Sequence, residues 1–160
     1  TQKPQTALML KIANKLPLIA RLFLGLVFLV FGLNGFLHFI ALPELPPPAA
    51  AFLGALGATG YMFPLIKSVE VAGGILLLTN RLVPFALLLL APLVVNIAAF
   101  HLFLSPGGAG MSLAMAADLA FLGWSYRAAY RSLFAAKMAP ALITSPGEAL
   151  QSSPAFRAGA

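Results

Sequence analysis

From Leu82 to Leu104 the chain runs without one Asp, Glu, Lys or Arg, and from Leu22 to Ile40 it does so again. A helix that crosses a ~30 Å hydrocarbon layer takes about 20 mostly apolar residues. Two such stretches point to a membrane protein, and the rest of the composition agrees. Of 160 residues, 61% are apolar and 9% charged, with a mean hydropathy of +0.95. A soluble domain carries roughly 25% charged residues, and a chain near this size still exposes about 30% of its surface. An ordinary cytosolic enzyme, a disordered chain and a nucleic-acid module are excluded. The net charge of +6 reads as basic residues at membrane edges rather than a phosphate-binding face. Cysteine is absent, so there is no disulfide framework, thiol redox couple or Cys-ligated metal.

Four spans are expected, at about 18–40, 61–79, 82–104 and 111–132, within a transmembrane domain over 1–137. Backbone polar groups in lipid must be satisfied within the segment, and the Leu76–Leu78 and Leu87–Leu90 runs lack strand alternation, so the spans are helices. The first stretch exceeds a signal-peptide core and is read as a retained span. Thr1 in place of Met reads as a start inside a longer chain. Lys3, Lys11, Lys15 and Arg21 precede the first span, Arg81 lies between the second and third, and Arg127, Arg131 and Lys137 follow the fourth. The other two connections, 41–60 and 105–110, hold no Lys or Arg. By the positive-inside rule both termini of this multi-pass protein are cytoplasmic.

The fold class is therefore all-α: an antiparallel four-helix transmembrane bundle with a short interfacial helix in its first outer loop. Asn80-Arg81 and the turn-rich Ser105–Gly110 force antiparallel hairpins. In the first outer loop, Pro46-Pro47-Pro48 reads as extended or polyproline-like. Ala49–Gly57 reads as the interfacial or re-entrant helix over the outer mouth of the bundle, either a lid or a passive surface segment. Residues 138–160, rich in Ala, Pro, Ser and Gly, read as a cytoplasmic tail.

Counting depth at ~1.5 Å per residue from the outer edge puts His38 and His101 about 3–5 Å down, Lys67 about 8 Å, and Asn34, Glu70, Asn96 and Asp118 at about 9–12 Å. These seven residues are the candidate ligand-binding cluster. Intramembrane ionisable groups usually face the bundle interior and pair; Lys67 and Glu70, three apart, are the simplest pair. Asn34 and His38 share a helical face, whereas Asn96 and His101 lie about 140° apart and are not expected to converge. Asp118 has no cation on its own helix and is the foremost functional candidate. The plainer readings stand beside these: a structural ion pair, interhelical hydrogen bonds from the two Asn, and interfacial His. Pro92 is expected to kink the third span, and Gly73-Gly74 to admit a neighbouring helix closely. Trp124, Tyr126 and Tyr130 read as an inner aromatic belt. GxGxxG, Walker-type, GxSxG and HExxH patterns are absent, and no metal site is expected.

Arg21-Leu-Phe-Leu-Gly25 with Phe31-Gly-Leu-Asn-Gly35, Glu70-Val-Ala-Gly-Gly74, the Arg81 turn and Asn96-Ile-Ala-Ala-Phe-His101 together resemble the DoxX family of small four-span bacterial membrane proteins, over roughly 16–132. Many relatives carry Lys where this chain has Asn34. The resemblance implies a link to redox chemistry, since relatives include the membrane subunit of a thiosulfate:quinone oxidoreductase. The expectation is an oxidoreductase-linked subunit whose polar cluster binds a small lipophile such as a quinone head group. Its partners are the bilayer and other protein subunits or further copies of the chain, not nucleic acid. A non-catalytic accessory subunit of a larger complex is the alternative. A third reading pairs His38 with His101 around haem or a metal.

Overall fold

A computed structural model describes residues 15–41 and 43–131, whose regular secondary structure is all helical, with no strand among them. The expected tail at 138–160, and Lys3, Lys11 and Lys137, lie outside the described residues. Five α-helices follow in order: α1 (Leu16–Leu37), α2 (Pro47–Ala58), α3 (Met62–Leu78), α4 (Val83–Phe103) and α5 (Ala109–Ser125). Short 3-10 turns occupy Pro106–Gly108 and Arg127–Tyr130. Among the described residues, α1 and α4 are long and apolar enough to cross a membrane, while α3 and α5 have 17 residues each.

Helix ends follow local chemistry. The first helix stops at Leu37, short of the expected Ile40, because His38 turns left-handed at φ 52. Asn34 then binds the departing chain, its amide donating to the Ile40 oxygen at 3.2 Å and its oxygen accepting the Ile40 N–H at 2.6 Å. Of the three prolines expected to be extended, only Pro46 (ψ 147) is so; Pro47 and Pro48 begin α2, where a fixed φ and missing N–H suit the first turn. At the end of α3, Asn80 takes φ 57 while Asn80 N–H bonds Leu77 O and Arg81 N–H bonds Leu76 O. This left-handed cap satisfies carbonyls that a helix end leaves bare. The last helix ends at Ser125, short of 132, as the chain tightens into the 3-10 turn. Helix α4 continues through Pro92 as one element.

The four longer helices pack antiparallel. Gly25 faces Leu77 and Leu78, Gly32 faces Glu70 and Val71, and Gly35 faces Lys67, so numbers rise along α1 as they fall along α3. Gly74 brings backbone to backbone: a Cβ there would stand 2.7 Å from Leu29 N and 2.9 Å from Gly25 O. On the other side of α3, a Cβ at Gly73 would meet Leu90 of α4 at 2.7 Å. Lipid tails are as apolar as Leu, so such close approach supplies the van der Waals packing that associates helices in a bilayer. Helix α5 closes the ring against α4 and α1.

Leu24, Phe28, Leu77, Ala86, Leu87, Leu90, Met115 and Leu122 form the core. Leu77, Ala86 and Leu87 lie beside the α3–α4 turn, while Phe28 and Met115 reach toward the other end of the bundle. At that end the helices stand apart, and α2 covers the gap. It meets α3 at 95°, across a corner containing Gly60 at φ 75. The Thr59 hydroxyl holds this corner, donating to Leu56 O at 2.6 Å and accepting the Met62 N–H at 3.1 Å.

Candidate functional site

Under α2 lies a cavity of about 710 Å³, walled by α1, α3, α4 and α5 and the turn before α5. Its apolar wall is aromatic and thioether-rich, including Phe28, Phe31, Phe63, Phe100 and Met115. Phe52 of α2 meets Phe100 of α4 with ring centroids 5.9 Å apart, fastening the cover to the wall.

Four of the seven residues singled out from sequence line this cavity: Lys67, Glu70, Asn96 and His101. Lys67 Nζ donates to both carboxylate oxygens of Glu70, at 3.1 and 2.8 Å, as their spacing predicts. The lysine side chain is 19% exposed and the glutamate 6%, so the ammonium is the more accessible member. Its stem lies across α1 at Gly35, where a Cβ would run into Cγ, Cδ and Cε of Lys67.

Asn96 and His101 both line the cavity, which spans the arc between them. The space takes in Asn96, Ile97, Phe100 and His101, an arc of about 140° on α4. His101 Nδ1 lies 3.1 Å from the Ser105 carbonyl oxygen. Its ring stands edge-on to Phe100 at 5.2 Å.

Asn34, His38 and Asp118 lie outside the cavity. The Asn34 amide is used in holding Ile40, and its bonds are neither interhelical nor free for a ligand. His38 is exposed at the left-handed end of α1, so it no longer follows the helical face of Asn34 and shares no site with His101. Asp118 is half-buried on α5, and its Oδ2 is buried with no hydrogen-bond partner among the described residues.

Two residues have roles that sequence position does not disclose. Arg21, assigned to the membrane edge with the other cations, is 6% exposed, and its guanidinium donates to Leu77 O and Leu78 O at the end of α3. Tyr130, assigned to the aromatic belt, is buried and donates to Pro84 O at 3.2 Å, tying the last turn to the start of α4. Tyr126 packs against the core; Trp124 alone of the three is widely exposed, at 70%, with the Arg127 guanidinium 4.9 Å from its ring centre.

The DoxX family pattern matches residues 16–102, from the start of α1 to the last turn of α4. The chain belongs to the DoxX family. In this DoxX protein the matched stretch contains Arg21, Gly25, Gly32, Gly35, Gly74 and the Lys67–Glu70 pair, while Gly108 and Met115 on the far cavity wall lie beyond it. No curated protein and no solved structure matches the chain.

Proposed function

We propose that this DoxX protein crosses a bacterial inner membrane four times, with both termini cytoplasmic. There it serves a redox- or quinone-linked system by binding a small lipophile in the cavity beneath α2. The observation that carries the reading is the cavity itself. Its volume, about 710 Å³, falls in the range of small-molecule sites, roughly 300–1,000 Å³. Its walls combine aromatic rings with a few polar groups, the composition that orients a ligand carrying a ring and oxygen atoms. For α3 and α5, 17 residues reach about 25 Å, within the range of tilted or locally thinned spans. Lys67 lies about 8 Å and Glu70 about 12 Å along α3 from its outer end.

Quinone head groups accept hydrogen bonds at their carbonyls, and the ammonium of Lys67 is the donor nearest that need. Chemistry on such a group would require an electron source from a partner or a bound cofactor, since the chain has no cysteine. The test is to purify the protein under mild detergent, extract it with solvent, measure bound quinone, and titrate a short-tailed quinone. Bound quinone and a loss of affinity of about tenfold in Lys67→Met, with Asp118→Asn unchanged, are expected. Absence of bound quinone together with no measurable binding would remove the reading.

A second reading, a non-catalytic accessory subunit, draws support from Asp118. A partly exposed carboxylate on α5 with no place on the cavity wall suits contact with a neighbouring subunit. Under that reading Asp118→Asn lowers the yield of a larger complex and leaves lipophile binding intact.

A further inference from the structure

The cavity's hydrogen-bonding groups are unequal in what they have left to offer. An ammonium has three N–H donors; Lys67 directs bonds to Oε1 and Oε2 of Glu70, which leaves one N–H for the cavity. His101 contributes the complementary group. Its Nδ1 contact is a backbone carbonyl, which only accepts, so Nδ1 carries the proton. In the neutral ring Nε2 is then an acceptor. Ser112 is occupied within α5, its hydroxyl donating to Ala109 O at 3.0 Å.

The imidazole is held in that orientation by a missing side chain. A Cβ on Gly108 would run into Nδ1 and Cε1 of His101. Gly108 itself sits at φ −96, a conformation open to any residue, so its lack of a side chain serves the ring rather than the backbone. Gly108 is a positioning residue for His101.

We infer that the cavity selects a phenolic lipophile: an aromatic ring with one hydroxyl that donates to His101 Nε2 and another oxygen that accepts from Lys67. Within the quinone reading, on which this rests, the hydroxyl-bearing reduced form is the preferred ligand. A ring whose oxygens are all acceptors gives His101 Nε2 no donor, and a ligand that covers this acceptor without matching it binds less tightly.

The experiment compares a decyl-tailed hydroquinone, its monomethyl ether and its dimethyl ether, titrated calorimetrically into the purified protein in lipid nanodiscs. In the native protein the hydroquinone and monomethyl ether are expected to bind about tenfold more tightly than the dimethyl ether. That preference collapses in His101→Phe, which keeps the aromatic contact, and narrows in Gly108→Ala, which keeps the imidazole but displaces it. Equal affinities for all three probes in the native protein, or full discrimination retained in His101→Phe, would overturn the inference and leave the lipophile site standing. Failure of every probe to bind removes the site and the inference together.

Discussion

Arg21 on α1 holds the end of α3: its guanidinium donates to the main-chain oxygens of Leu77 and Leu78. A helix terminus carries partial negative charge at its last carbonyls, and Arg21, only 6% exposed, adds a cation there to the main-chain cap that Asn80 N–H already gives Leu77 O. Arg21→Met is expected to cost about 1–3 kcal/mol, read as a lower unfolding midpoint by circular dichroism in detergent. Arg21→Lys, a point donor where a fork reaches two oxygens, is expected to fall between. An unchanged midpoint in Arg21→Met would refute the capping role.

The α1–α3 contact has a sharper test. A Cβ at Gly74 meets backbone atoms of Leu29 and Gly25, which cannot swing away as a side chain can. Gly74→Ala is expected to destabilise by about 1–3 kcal/mol. Gly54→Ala on α2, where a Cβ meets nothing within 4 Å, is expected to stabilise slightly, by about 0.5–1 kcal/mol. The opposite signs of two identical substitutions are the readout.

The Lys67–Glu70 pair separates folding from binding. Breaking a buried pair leaves an uncompensated charge and costs about 3–5 kcal/mol, whereas replacing both members with apolar residues is often neutral. Glu70→Met alone is therefore expected to unfold more easily, and Lys67→Met/Glu70→Met to recover native stability. If the pair serves the cavity, the stable double variant still loses lipophile affinity. A double variant that binds normally assigns the pair to structure alone.

Asn34 is expected to act on the loop beyond α1. Asn34→Leu strands the Ile40 N–H, which now bonds the Asn34 oxygen at 2.6 Å, and should lower stability by about 1–3 kcal/mol. It should also speed exchange of that amide with deuterium while leaving lipophile affinity unaltered.

Tyr130→Phe removes a single hydrogen bond, to Pro84 O. The expected loss is about 0.5–1.5 kcal/mol in the same thermal measurement. A residue serving only as a headgroup anchor would show no such loss.

The helical class, the short helix over the bundle, the Lys67–Glu70 pair and the close approach at Gly74 were legible because each depends on spacing or volume within a single segment. Three apart on a helix is a contact whatever surrounds it, and a glycine in a span admits a neighbour. A position along a helix does not give a side chain's direction. Asn34 stands at the level of Glu70, yet its amide is spent on a main-chain pair that forms only because the helix stops at Leu37. Arg21 and Tyr130 resembled membrane-edge residues because composition alone does not tell a side chain facing lipid from one turned onto a neighbour's carbonyl. Asn96 and His101 are too far apart around α4 to meet at a point, but the space beside the helix is wide enough to take in both. Gly108 carried no signal in the sequence, being one more small residue in a turn-rich stretch.

Unequal helix length has a consequence for the surrounding lipid. Helices α1 and α4, with 22 and 21 residues, reach about 32–33 Å, and α3 and α5 about 25 Å. In the proposed four-span arrangement the short pair occupies opposite corners of the ring. Acyl chains are then drawn inward at two corners and left at full height at the other two, a saddle-shaped dent in the bilayer. Such a dent carries a modest cost that rises with membrane thickness, so the molecule is expected to gather where lipids are short-tailed and to seek neighbours that fill the two low corners.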